Sequence, residues 1–425
     1  MGLAILFGVF LLGLVSGMPV AFALGLASVA GFLYEGLPLF VGFQRILSGI
    51  SVFSLLAIPF FIFAGELMLH GGIAQRLVRL AASAVGSVRG GLGVVNVASS
   101  MLFGGISGSA VADTSALGSI LMPVMKEKGY DADYAVNVTV TSSVAGVVIP
   151  PSHNMILYAV AAGGVSVSSL FIAGILPGLL MCLLLALVAY AVAVRRGYPA
   201  EAFPGWARLG RDALAALPGL FTAVIIVGGT LSGVMTVTES GAFGAIWALV
   251  VTLAVYRALS WQGFRQAVVS AVRTTALVML LVATASAFAY LLALYRVPDQ
   301  LAATLASVSE SPFVILLMLN LALLALGMIM DMAALILICT PIFLPVVVEL
   351  GMDPVQFGVI LMMNLGLGLA TPPVGACLFV GCVVGEVPIQ EAVRRIWPFY
   401  LALLTALLLV TYVPAISMFL PSLFD

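Results

Sequence analysis

Apolar residues in this chain do not alternate with polar ones. They run in blocks of roughly twenty, set apart by short polar segments. A block of that length suits the ~30 Å of hydrocarbon that one helix crosses with about 20 residues. Lipid leaves no partner for an open backbone, so the blocks are read as helices; a membrane barrel would alternate in shorter segments. Ten spans are placed, at roughly 2–17, 19–34, 50–70, 135–160, 170–194, 215–233, 240–257, 274–294, 355–380 and 396–416.

Two more apolar stretches, about 92–123 and 312–347, are interrupted midway, by GGISGSAVADTS and by GMIMDMAA. Each is read as a re-entrant hairpin that enters and leaves on one side. Two of the spans are themselves broken. Pro150-Pro151 interrupts 135–160, and Pro372-Pro373 interrupts 355–380. The fold class is an all-α polytopic membrane protein.

Composition agrees. The 425 residues are 63% hydrophobic and 8% charged, against about 25% charged in soluble domains. The net charge of −1 gives nucleic acid no basic surface to bind. Cys182, Cys339, Cys377 and Cys382 sit in apolar stretches with no CxxC pair, so they are read as buried small hydrophobes. The chain opens directly into a span without a basic stretch, so no cleavable leader is expected.

Charge placement supports the layout. Arg76, Arg79, Arg89, Lys126, Lys128, Arg195, Arg196, Arg208, Arg211, Arg257, Arg265, Arg273, Arg394 and Arg395 all fall on one side of it. Only Arg45 and Arg296 fall on the other. The positive-inside rule makes the first side cytoplasmic, and both chain ends then lie outside the cytoplasm.

The polar segment 195–214 is a cytoplasmic linker between two halves, 1–194 and 215–425. The halves match at a constant offset of 222: Gly105 with Gly327, Pro123 with Pro345, Gly129 with Gly351, Asp131 with Asp353, Gly146 with Gly368, and Gly163 with Gly385. Pro150-Pro151 falls on Pro372-Pro373. Glycine and proline constrain the backbone, so shared positions imply shared shape. Five spans and one hairpin per half invert the second copy. Inverted repeats with broken helices at mid-membrane mark secondary transporters.

Candidate chemistry sits at the breaks. In the first hairpin, Ser107 and Ser109 offer oxygens to a hard cation, and Asp113 is a carboxylate at membrane depth, placed here at the substrate. Pro150 and Pro151 lack amide protons, which frees carbonyls near Gly146 and Val147 for a cation. Downstream, the half-helix opening at Ser152 presents amides to an anion, beside His153 and Asn154. In the second half, Asp331, Gly368 and Thr371 form the matching cation set, and Pro372 and Pro373 face substrate together with Pro150. No metal beyond sodium and no cofactor is expected. Glu66, His70 and Glu239 are read as interfacial. Asn96 and Asn320 correspond across a two-residue gap and are read as caps that pin the hairpins.

GGLGVVNVASSMLFGGISGSAVADTSALGSILMP, VIPPS, TVTESGAFGA, MDMAALILICTPIFLPVVVELGMDPVQFGVI and TPPVGACLF resemble the large membrane subunit of tripartite ATP-independent periplasmic (TRAP) transporters. The likeness covers nearly the whole chain. It implies sodium-coupled uptake of an organic acid across the bacterial inner membrane. It also implies a periplasmic substrate-binding protein and a small four-helix membrane subunit as partners, and an elevator mechanism that moves hairpins and broken helices past a scaffold. His153-Asn154 departs from relatives that continue with apolar residues or proline, which weakens any inference to one acid.

Three other classes of protein fit parts of the pattern. A two-component sodium/anion symporter would share the repeats but need no binding protein. A passive channel would need neither that protein nor sodium. Gly105-Ile106-Ser107-Gly108 fits the GxSG pattern of an intramembrane serine protease, with His153 as base, but leaves the second hairpin unexplained.

Overall fold

The computed structural model describes residues 1–424, without the side chains of Ile106 and Ser107. The described residues are helical almost throughout; one isolated β-bridge joins Arg89 and Ala200. Six of their helices are long and apolar enough to cross a membrane, and up to eight segments are if each bent helix pair counts as one.

The first interrupted stretch is a helix pair, Gly91–Ser107 and Ala110–Glu127. Gly108 joins the arms with φ +62°, a left-handed conformation that glycine adopts without strain. The second pair is Pro312–Gly327 and Met332–Glu349, joined through Met328–Asp331. Both expected breaks are present. Ala132–Val148 and His153–Ala161 meet at 51° across Pro150-Pro151. Pro354–Leu369 and Ala376–Gly385 flank the Pro372-Pro373 segment.

Upstream limbs of the broken helices form the centre. Every residue from Asp133 to Val148, and from Gln356 to Leu369, is buried. Ala132–Val148 packs on both arms of the first hairpin and on Pro354–Leu369, while His153–Ala161 packs on Met332–Glu349. Polar bonds cross between the halves: Lys126 Nζ donates to the Gly385 carbonyl at 2.6 Å and Asn137 Nδ2 to the Ala392 carbonyl at 3.0 Å. Around this block, the 34-residue helix Trp261–Leu294 packs on Val20–Tyr34, Leu39–Ile50 and Ala57–His70 on one side and on Met332–Glu349 on the other.

Four helices among the described residues fall wholly between the expected spans and hairpins: Leu39–Ile50, Ile73–Val85, Val297–Val308 and the short Ile389–Arg395. They are too short to span and mix faces, so a search for apolar blocks passes over them. The helix Trp206–Leu231 also begins inside the expected 195–214 linker. Near that linker Arg196 forks onto buried Asp133 at 2.8 and 3.0 Å and reaches Asp131 at 2.9 Å, a bidentate pair that anchors the end of Val167–Arg196.

Candidate functional site

Close backbone approach builds the site. A Cβ on Gly146 would lie 2.5 Å from the Gly104 Cα, and one on Gly368 would lie 2.5 Å from the Gly327 carbonyl carbon. Each hairpin's first arm thus touches its broken helix glycine to glycine; Gly146 and Gly368 are 222 apart, while Gly104 and Gly327 are 223 apart. The asparagines lie one to two turns away. Asn96 Nδ2 donates to Thr139 Oγ1 at 2.6 Å, and its Oδ1 accepts from Ser142 at 3.1 Å. Asn364 Nδ2 donates to Asn320 Oδ1 at 2.8 Å. Asn96 and Asn320 are therefore not helix caps, as sequence suggested. They lie inside helices and bond sideways to the broken helix, which a local reading of capping positions cannot foresee.

Three helix N-termini line one cleft of about 210 Å³: Ser109–Ala112, His153-Asn154 and Asp331–Ala333. Ser109 caps the second arm of the first hairpin, accepting from the Ala112 amide at 3.3 Å. Asp331 caps its helix the same way, accepting from the Ala333 amide at 2.9 Å. Amides at such termini and the helix dipole both favour an anion. No Arg or Lys is among the described lining residues.

The far wall comes from outer helices and includes Glu66, Leu69, Thr274 and Val278. Glu66 was read as interfacial, but it faces the cleft. It accepts from Ser270 Oγ at 2.5 Å and lies 3.6 Å from His70 Nε2. The pairing of residues 66 and 70 on one helix face was visible in sequence; the partner 204 positions away was not. Glu239 instead completes a capping box with Thr236, a role its T-x-x-E spacing could have revealed.

His153 and Asn154 are 9% and 5% exposed, and both belong to the cleft wall. Asn154 Nδ2 donates to the Gly108 carbonyl at 3.0 Å. The imidazole sits against the hairpin tip, where a Cβ on Gly108 would come within 2.8 Å of its Nδ1. Ser152 lies just behind, fully buried, its hydroxyl without a hydrogen-bond partner.

Asp113 is not in the cleft wall, contrary to its expected place at the substrate. It is 1% exposed, one turn into its helix, and among the described residues neither carboxylate oxygen has a hydrogen-bond partner. The Ser100 hydroxyl beside it pairs with the Ser142 hydroxyl at 3.0 Å. Pro150, Pro372 and Pro373 also stand outside the wall and act by shaping backbone. Gly146 and Val147 are buried in the last turn before the break, and the residues four further on are Pro150 and Pro151, which have no amide to donate. The Gly368 carbonyl accepts from the Thr371 amide at 2.9 Å, and the Thr371 hydroxyl donates to Leu367 at 2.7 Å, leaving its oxygen lone pairs. The expected Ser107 ligand lies outside the described side chains.

This is the architecture of a multi-pass membrane transporter. The YdaH transporter of Alcanivorax borkumensis shares the fold, with a TM-score of 0.66 and 15% identity, over 90% of this chain and 88% of that one. Residues 7–416 match the family "Tripartite ATP-independent periplasmic transporter, DctM component", and the chain belongs to that family. It is similar to the sialic acid TRAP transporter large permease protein SiaM of Vibrio cholerae, 38% identical over 97% of this chain and 96% of that protein. It is also similar to the C4-dicarboxylate TRAP transporter large permease protein DctM of Rhodobacter capsulatus, 35% identical over 100% and 99%. The chain is therefore a transporter permease of the inner membrane and not an enzyme, which removes the protease reading.

Proposed function

We propose that this chain carries out sodium-coupled uptake of an organic acid across the inner membrane. The convergence of three helix N-termini on one cleft without Arg or Lys carries this reading. Such a site holds a carboxylate through amides, hydroxyls and helix dipoles, with cations nearby to balance charge. Relatives named for sialic acid and C4-dicarboxylates support the substrate class.

Sodium fits the donor chemistry. Hard cations take oxygen ligands, and among the described residues the first hairpin and the adjoining break hold buried oxygens without hydrogen-bond partners, both of Asp113 and those of Ser99 and Ser152. One ion is assigned to Ser107, Ser109 and the carbonyls of Gly146 and Val147. The other is assigned to Asp331, Thr371 and the carbonyl of Gly368. In this reading the two halves are inverted repeats, and hairpins with broken helices travel as an elevator against the outer helices. A small four-helix membrane subunit completes the membrane complex, and a periplasmic binding protein delivers the acid.

The test is uptake into proteoliposomes holding this chain and its small subunit, with purified binding protein outside. Uptake should require an inward sodium gradient, and Asp331→Ala should lower it at least tenfold. Equal uptake on a potassium gradient overturns sodium coupling. Equal saturable uptake without the binding protein replaces the tripartite reading with a two-component symporter.

A further inference from the structure

A second cavity, of about 320 Å³, lies between Leu39–Ile50 and Trp261–Leu294 on one side and the end of His153–Ala161 with the middle of Met332–Glu349 on the other. Its wall contains Arg45, Ser48, Ser286 and Tyr290. The Arg45 guanidinium lies 4.3 Å from the Tyr290 ring centroid. Tyr290 in turn stacks on buried Phe32, with centroids 5.8 Å apart and planes within 4°. This Phe32–Tyr290–Arg45 pile holds the cation in place without an acidic partner, since none of the ion pairs among the described residues includes Arg45. A stacked guanidinium keeps its edge donors available for a carboxylate.

Charge placement sharpens the point. The cleft at the hairpin tips holds Glu66 and Asp331 but no Arg or Lys. Of the two basic residues expected on the side opposite the fourteen, Arg45 is the one in this cavity's wall. Along Trp261–Leu294, Val278 of the hairpin cleft lies one turn before Val282 of this cavity, so the cavity adjoins the cleft toward the helix end that carries Tyr290.

We propose that the Arg45 cavity is a carboxylate-receiving vestibule, in which the organic acid first docks on the stacked guanidinium and the hydroxyls of Ser48 and Ser286. The assignment rests on the uptake reading above. Arg45 acts here as a capture group, and the hairpin cleft remains the site that is carried across.

All four native cysteines are buried, so one added thiol can report on the cavity. Ser48→Cys, in the complex with its small subunit, is reacted with the anionic sulfonatoethyl and the cationic trimethylammonioethyl methanethiosulfonates. Opposite unit charges about 6 Å from a guanidinium in water should differ about tenfold in local concentration. The anionic reagent should gain by about that factor relative to its rate with a small free thiol. Arg45→Gln should erase the preference and Arg45→Lys should keep most of it. A preference absent in Ser48→Cys, or unchanged by Arg45→Gln, overturns the proposal.

Millimolar succinate should slow the anionic reagent. If phosphatidylglycerol in the micelle abolishes the preference and succinate does not, the cavity seats a lipid phosphate and the vestibule is overturned. In proteoliposomes, Arg45→Gln should raise KM at least fivefold with kcat nearly unchanged, and an unchanged KM counts against the capture role. Failure of the uptake reading looks different: the unmodified chain moves no organic acid, whatever the labelling ratio.

Discussion

Asn154 holds the tip of the first hairpin, its Nδ2 donating to the Gly108 carbonyl at 3.0 Å. The bond ties the downstream limb of a broken helix to the turn between the hairpin arms. It also sets His153 against that turn, because the two residues are adjacent in one helical start.

Removing this tie should loosen the tip more than the fold. Asn154→Ala deletes one buried hydrogen bond, worth about 1 kcal/mol net, and leaves a carbonyl short of a partner. The expected result is a KM for uptake raised several-fold with a small drop in melting temperature. Uptake kinetics and a detergent melting curve separate the two. A large stability loss with unchanged KM would show that Asn154 serves folding only.

The glycine contacts make a sharper prediction. The atoms that a Cβ would strike are backbone in both halves, Gly104 Cα and the Gly327 carbonyl carbon, so no side chain can swing away. Gly146→Ala and Gly368→Ala should each destabilise the protein by about 1–3 kcal/mol, the usual cost of overpacking. As a control, Gly210→Ala meets open space inside the helix Trp206–Ala223, where alanine is the better helix former, so it should cost nothing. Melting curves of the three variants test the ranking, and a Gly210→Ala loss equal to the others would reject contact as the cause.

Topology is open to direct labelling. The basic asymmetry puts 71–90 and 195–211 in the cytoplasm and 348–354 in the periplasm. Phe203 is 42% exposed, so a cysteine there is reachable by reagent. In intact cells Phe203→Cys should stay unlabelled by an impermeant maleimide until the membrane is opened. Strong labelling from outside would reverse the orientation.

The class, the helix breaks and the two interrupted helix pairs were legible in the residues alone. These features are local. A run of apolar residues commits to a helix in lipid whatever its neighbours, and two consecutive prolines end a helix wherever they occur. The offset of 222 also gave an expected correspondence of glycines and prolines, residues that constrain backbone shape.

Tertiary structure decided which of these features meet. Asp113 stood in sequence as the prominent tip carboxylate, yet helical phase turned it away from the cleft and buried it without a partner among the described residues. Glu66 looked interfacial until a helix 204 residues downstream supplied Ser270 and made both part of one site's surroundings. Arg45 was one of two stray basic residues until Tyr290 came beneath it and a cavity opened beside it. Each outcome depends on distance between segments far apart in the chain, and hydropathy carries no record of that. Backbone breaks are written at single positions, whereas a binding surface exists only after the segments have packed.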